Sequence, residues 1–232
     1  MAIYAISDLH LSFGCDKPMD IFGGSWENHT ERLRAGWCDT VGDEDLVLIP
    51  GDISWAMGLE TAKPDFSFIE ALPGRKLIGK GNHDYWWSTK NKFDAFLRNN
   101  GMSTISMLHN NAYPFGDFVI CGSRGWISPD DPDFTGEDQK VFTREIERLK
   151  LSLNEGVKLG GEIIAMLHYP PFDSRHNPNA FAELLQEYGV KTCVYGHIHG
   201  RANPAYRLEW INGIRYQLIS ADFLEFRPVR LE

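Results

Sequence analysis

Arg75-Lys76-Leu77-Ile78-Gly79-Lys80-Gly81-Asn82-His83-Asp84 decides how this chain is read: a short strand-like run stops at glycines and gives way to an amide, an imidazole and a carboxylate. Four other apolar runs end as abruptly. Ala2 to Ile6 ends in Ser7-Asp8-Leu9-His10, and Leu46 to Pro50 ends in Gly51-Asp52. Ile163 to Leu167 ends in His168-Tyr169-Pro170-Pro171, and Thr192 to Tyr195 ends in Gly196-His197-Ile198-His199. In an open α/β sheet, the loops leaving the carboxyl ends of the strands converge in front of a rigid backbone, and ligands bind there.

Working outward, strands are predicted at Ala2 to Ile6, Leu46 to Ile49, Arg75 to Ile78, Phe118 to Cys121, Glu162 to Leu167 and Thr192 to Tyr195. Apolar residues at three- and four-residue spacing predict helices over Thr30 to Thr40, Leu59 to Ala71, Ser88 to Arg98, Gln139 to Leu153 and Ala180 to Tyr188. This alternation is the pattern of βαβ units on a largely parallel sheet. The C-terminal region breaks the rhythm, because Tyr206 to Ile211 and Ile214 to Ile219 flank Asn212-Gly213, a dipeptide suited to a tight hairpin. An antiparallel region beside the parallel one points to two packed sheets with helices outside. Phe13 to Asn28 and Ser128 to Asp138, rich in Gly, Pro and Asp, read as surface loops. The acidic residues of the second (Asp130, Asp131, Asp133, Glu137, Asp138) read as a solvated face rather than a further metal site. There is no internal repeat, and residues 1–232 read as a single domain.

With 43% hydrophobic and 24% charged residues the composition is that of an ordinary globular chain, able to bury a normal core. A net charge of -9 and the lack of any Lys/Arg-rich block argue against long duplex nucleic acid as a partner, which requires a basic face. Cys15, Cys38, Cys121 and Cys193 have no C-x-x-C spacing, and two lie in strand-like runs, as buried thiols would. The N-terminus lacks the basic region and cleavage site of a signal peptide, and no stretch approaches the roughly 20 apolar residues of a membrane span. A soluble, cytoplasmic chain with no membrane partner is the expectation.

A lone Asp-x-His is more often a turn or a helix cap than a ligand, and a lone histidine after an apolar run is more often a hydrogen-bonded core residue. The set reverses that balance. Of the 8 histidines, His10, His83, His168, His197 and His199 fall in the strand-end motifs, leaving His29, His109 and His176 elsewhere. Asp8-x-His10 and His197-x-His199 have a spacing of two, which on an extended backbone turns both side chains to one side. Gly51, Gly81 and Gly196 stand just ahead of ligand-type residues, where a missing side chain permits close approach.

The ordered blocks D-x-H, G-D, G-N-H-D, H and G-H-x-H, spanning Asp8 to His199, resemble the calcineurin-like metallophosphoesterase superfamily. The resemblance implies an α/β fold of four layers, an αββα sandwich in which two mixed β-sheets are flanked by helices. It implies a first metal held by Asp8, His10, Asp52 and His199, and a second held by Asp52, Asn82, His168 and His197, with Asp52 bridging. Two divalent ions about 3.5–4 Å apart form the usual clamp for phosphoryl displacement. Nitrogen and oxygen ligands without cysteine suit manganese, iron, zinc or cobalt.

The implied chemistry is hydrolysis of a phosphate ester by a metal-bridging hydroxide. A phosphodiester is favoured because no separate cap domain is evident. A phosphomonoesterase or protein phosphatase would use the same site, and a noncatalytic metal-binding scaffold is the alternative from another class. His83 is the candidate to protonate or stabilise the leaving oxygen; Asp84 either orients the His83 ring or caps the following turn. Trp55, Tyr85, Trp86, Trp87 and Trp126 either pack in the core or line a substrate mouth. Arg124 either holds a substrate phosphate or makes a surface ion pair.

Overall fold

The computed structural model describes residues 1–200 and 208–232. Strands and helices alternate through β1 (Ile3–Ala5), α1 (His29–Thr40), β2 (Leu46–Ile49), α2 (Leu59–Glu70), β3 (Arg75–Ile78), α3 (Lys90–Asn99) and β4 (Ile105–Met107). Then come β5 (Tyr113–Phe115), β6 (Phe118–Ser123), α4 (Gly136–Leu159), β7 (Glu162–Leu167), α5 (Ala180–Glu187) and β8 (Thr192–Tyr195). β9 (Glu209–Ile211), β10 (Ile214–Leu218) and β11 (Val229–Arg230) close the described chain. The strands form a 5-stranded sheet in the order β11-β1-β2-β3-β4 and a 6-stranded sheet in the order β5-β6-β7-β8-β10-β9. Each is parallel in its centre, with antiparallel pairing at β11, β5 and β9.

The two-residue period of the strands divides the apolar residues into three cores. On β2, Val47 and Ile49 pack with Leu33 and Trp37 of α1 and Phe66 and Ile69 of α2. Leu46 and Leu48, on the opposite face, join Ile120, Ile164, Met166 and Val194 of the other sheet. On β7, Ile163, Ala165 and Leu167 face Leu149 and Leu153 of α4 and Phe181 and Leu185 of α5. Three cores require four layers, helix on sheet on sheet on helix, and this is the αββα sandwich that the motif resemblance implied.

Three strands escape the sequence pattern, β4, β5 and β11, because runs of three, three and two residues are too short to show a period. The Asn212-Gly213 hairpin forms, with both residues at positive φ, 51° and 79°. It does not found a separate antiparallel region: β10 pairs in parallel with β8, and the hairpin is the edge of a sheet whose centre is parallel. The predicted start of its first strand, Tyr206 and Arg207, lies outside the described residues. α4 begins earlier than its apolar spacing predicts, because Thr135 and Asp138 form a reciprocal capping box. The loop after Phe13 is less superficial than its composition suggests, since it buries Met19 and Trp26. All four cysteines are free. Among the described residues no helix is long and apolar enough to cross a membrane.

Leu48 is fully buried between the sheets. Leu48→Ala is expected to lower unfolding free energy by about 2–5 kcal/mol, and Leu151→Ala, at an exposed helix position, by less than about 0.5 kcal/mol. Urea unfolding of the two variants checks this; equal losses would place the core elsewhere.

Candidate metal centre

The carboxyl ends of β1, β2, β3, β7 and β8 meet at the seam where the two sheets face each other. Backbone bonds close that seam: Ser7 N–H donates to Ile219 O at 2.8 Å, and Ala221 N–H donates to Ser7 O at 2.8 Å. Asp8 N–H donates to Gly51 O at 3.0 Å and His10 N–H to Asp52 O at 3.0 Å, so the first two tips run side by side. Gly196 N–H donates to His168 O at 3.1 Å and joins the tips of β8 and β7.

The paired motifs reach the seam by a route other than the extended backbone their spacing suggested. Asp8 (φ 59°), His10 (φ 46°), Asp52 (φ 50°) and His197 (φ 71°) all lie in the left-handed region. Non-glycine residues adopt it at a cost and persist there when the surroundings hold them, which is common at functional sites. Glycine allows the tips to close up. A Cβ on Gly81 would overlap the Asp52 carboxylate, and one on Gly196 would overlap Asp8 and Ser7.

Asp8, His10, Asp52 and His168 are buried, and Asn82, His197 and His199 are more open. Asp8, His10 and His199 present ligand atoms within 4.8 Å of one another, and so do Asp8, Asp52 and His168. His199 Nε2 lies 3.7 Å from Asp8 Oδ1 and 3.2 Å from His10 Nε2. Asp52 Oδ2 stands 3.8 Å from His10 Nε2 and 3.5 Å from His168 Nε2. The Asn82 amide oxygen is 2.7 Å from His168 Nε2 and 3.0 Å from His197 Nδ1. The two histidines of G-H-x-H thus point to different partners.

Among the described residues no Lys or Arg pairs with Asp8 or Asp52. Burial pushes Asp52 up to about 9, reinforced by the charges of Asp8 and Asp84, and pushes Asp8 up to about 6 against the pull of His199. Burial holds His10 and His168 well below the usual imidazole range and His197 at about 4, so their nitrogens are free of extra protons at neutral pH. His199 departs from this: burial pulls it down, but its bond to Asp222 and the charges of Asp8 and Asp222 outweigh that and raise it. His168 Nδ1 is buried without a hydrogen-bond partner. Converging nitrogen and oxygen lone pairs, an orphaned buried nitrogen and carboxylates without a Lys or Arg partner among the described residues fit divalent cations.

His83 sits beside this cluster. Its backbone N–H donates to Asp52 Oδ1 at 2.8 Å, and its ring lies 4.4 Å from that of Trp55, with Nδ1 unpartnered. Burial, then the charges of His199 and Lys17, lowers its pKa. No hydrogen bond joins Asp84 to the His83 ring, the first of its two expected partners. Nor is Asp84 a simple cap of the next turn. Its oxygens accept from Asp52 N at 2.9 Å, Ile53 N at 2.9 Å, Gly81 N at 2.7 Å and Trp86 Nε1 at 3.0 Å, lashing the β2 and β3 tips together. A carboxylate at that position gathers peptide N–H groups already facing inward.

The aromatic residues divide between the two expected roles. Trp86 is core, Tyr85 is exposed, and Trp87 is half-buried beside His109. Trp55 lies flat on His10, ring centroids 5.0 Å apart, in a cleft of about 510 Å³ with Met19, Trp26, His83, His199 and Asp222. Trp126, Tyr169, Phe172, His197 and Ile198 bound a second cleft of about 170 Å³. Arg124 pairs with Glu145 at 3.4 Å, and both are largely buried, so this is no surface ion pair. Motif reading misses Ser220, which donates to Asp8 Oδ2 at 3.0 Å, and Asp222, 3.0 Å from His199 Nδ1. A weaker signal was present, because the strand-like run Ile214 to Ile219, although it holds Arg215 and Gln217, also ends in polar residues, Ser220-Ala221-Asp222.

The model of the calcineurin-like phosphoesterase family matches residues 1–201. The chain belongs to the calcineurin-like phosphoesterase family. As such it is a metal-dependent phosphoesterase, a hydrolase whose substrate is a phosphate ester. Among curated proteins there is no match. Solved structures share the fold at low identity. A protein of unknown function from Aquifex aeolicus is 17% identical, with TM-score 0.52 over 99% of this chain and 95% of its own. The phosphopantetheinyl hydrolase of Mycobacterium tuberculosis is 13% identical, with TM-score 0.59 over 100% and 96%. A protein from Thermus thermophilus is 12% identical, with TM-score 0.58 over 98% and 96%.

Burial raises the Asp52 carboxyl to about 9, so a cation taken up by the Asp8, Asp52 and His168 group of this phosphoesterase is expected to release about one proton and to bind more tightly as pH rises toward about 9. Calorimetry of zinc binding in two buffers of different ionisation heat checks it; binding without proton release would contradict it.

Proposed function

We propose that the chain hydrolyses a phosphodiester at a pair of divalent cations. One ion is assigned to Asp8, His10, Asp52 and His199, the other to Asp52, Asn82, His168 and His197. Bound cations would supply Lewis acidity and a nucleophile that ionises near neutral pH. The identity of the metals follows the donor set, manganese, iron, zinc or cobalt.

Each side chain then has a physical task. Asp52 would serve both ions: His83 N–H anchors its Oδ1, and Oδ2 faces both His10 and His168. Asp222 accepts from His199 Nδ1, which leaves the Nε2 lone pair directed at Asp8 and His10. Ser220 and the His197 N–H orient Asp8. His83, on the cleft wall, donates a proton or a hydrogen bond to the leaving oxygen, and Asp84 is a positioning residue that fixes the loop carrying it.

The observation that carries the diester reading is the pair of separate clefts that border the ligand cluster, one walled by His10 and His199 and the other by His197. A diester has two organic arms, one for each cleft, whereas a monoester fills only one.

Manganese-loaded protein is expected to hydrolyse bis(p-nitrophenyl) phosphate with kcat/KM at least roughly tenfold above p-nitrophenyl phosphate; the opposite ratio would make it a monoesterase. His83→Ala is expected to lower kcat by about 10²–10⁴ at full metal content, and unchanged turnover would remove His83 from the mechanism.

A further inference from the structure

A small cavity lies behind the Asn82 and His168 loops, between the tips of β3 and β6 and the face of α4. Lys80, His109, Arg124, Glu145 and Arg148 line it, with Trp87 at its side. Its volume is about 20 Å³ on the scale where one water needs roughly 10–15 Å³. That admits one or two oxygens of an anionic head group and excludes a ring.

The charges around it do not balance. Arg124 Nη2 and Arg148 Nη1 reach the same oxygen of Glu145, Oε1, at 3.4 and 2.7 Å, and Glu145 is 1% exposed. Lys80 is half-buried and makes no ion pair among the described residues. Three cations therefore surround one carboxylate, in a chain whose net charge is -9. Arg124 Nε is in addition a buried donor with no hydrogen-bond partner. A surplus of partly buried cations and a buried, orphaned guanidinium N–H are both eased when an anion completes them.

We propose that this cavity is a second oxyanion site, taking a carboxylate or phosphoryl head. It stands one loop from the metal centre: Lys80 is two residues before Asn82, and the Arg124 carbonyl accepts from His168 N at 3.0 Å and Tyr169 N at 2.9 Å. The anion is either a further charged group of the substrate or a free ion. The site itself does not depend on the catalytic reading; only its substrate-borne form rests on it.

The test is a titration of zinc-loaded, ¹⁵N-labelled protein with sodium sulfate at constant ionic strength. Saturable shifts are expected at the amides of Gly79, Lys80, His109, Ser123 and Arg124, weakened roughly tenfold by Lys80→Gln or Arg148→Gln and retained by Arg148→Lys. Shifts confined to the metal-ligand loops, or binding unchanged in both glutamine variants, would overturn the proposal. Kinetics separate the sources. A substrate-borne anion predicts that Arg148→Gln raises KM for a nitrophenyl diester carrying an extra phosphate and not for the simple diester; a free ion predicts that sulfate alters turnover of both alike. If neither ester is hydrolysed, the catalytic reading fails while the titration still decides the cavity.

Discussion

Two carboxylates, Asp8 and Asp52, are buried in the seam between two sheets with no Lys or Arg partner among the described residues. An isolated buried carboxylate is costly, and its escapes are to hold a proton or to acquire a cation. Here the neutral imidazoles of His10, His168 and His197 surround the pair, with the Asn82 oxygen between two of them. Such groups add lone pairs but not the missing positive charge. Cation binding is thus the completion of the fold's own electrostatics as well as its chemistry.

Holding that arrangement requires a rigid frame. The inter-sheet core of Leu46, Leu48, Ile120, Ile164, Met166 and Val194 sets how close the sheets stand, and the Ser7 to Ile219 and Ala221 bonds join them at the tips. Against that frame the left-handed residues and the close glycines bring carboxylates nearer than side chains would ordinarily allow. Asp84 works against the same strain, since burial pushes its carboxyl up while the peptide groups of Gly81, Ile53 and Ser54 pull it back. Asp84 is thus a buried carboxylate committed to positioning the loops that carry the candidate ligands.

Much of this was legible in the sequence because the physics behind it is local. A strand buried on both faces is an apolar run, and a ligand at its tip is an abrupt change of residue type, so the β1, β2, β3, β7 and β8 tips all announce themselves. β4, β5 and β11 do not, being too short for a period. Asp222 follows a strand that mixes polar and apolar residues, and Trp26 sits in a loop without periodicity; only the tertiary fold brings them to His199. Backbone handedness at Asp8 and His10 is likewise set by the neighbouring tips, not by the tripeptide. Arg124 read as a free choice between phosphate and ion pair because its partner, Glu145, is placed by a helix that begins only after a long loop.

The five tips are proposed to share a pair of cations across Asp52, and anomalous diffraction from crystals of manganese-replete protein tests this most directly. Two peaks about 3.5–4 Å apart, with Asp52 between them and His199 and Asn82 on opposite sides, are the expected result. A single peak, or none at the seam with the carboxylates turned away from each other, would contradict a shared pair.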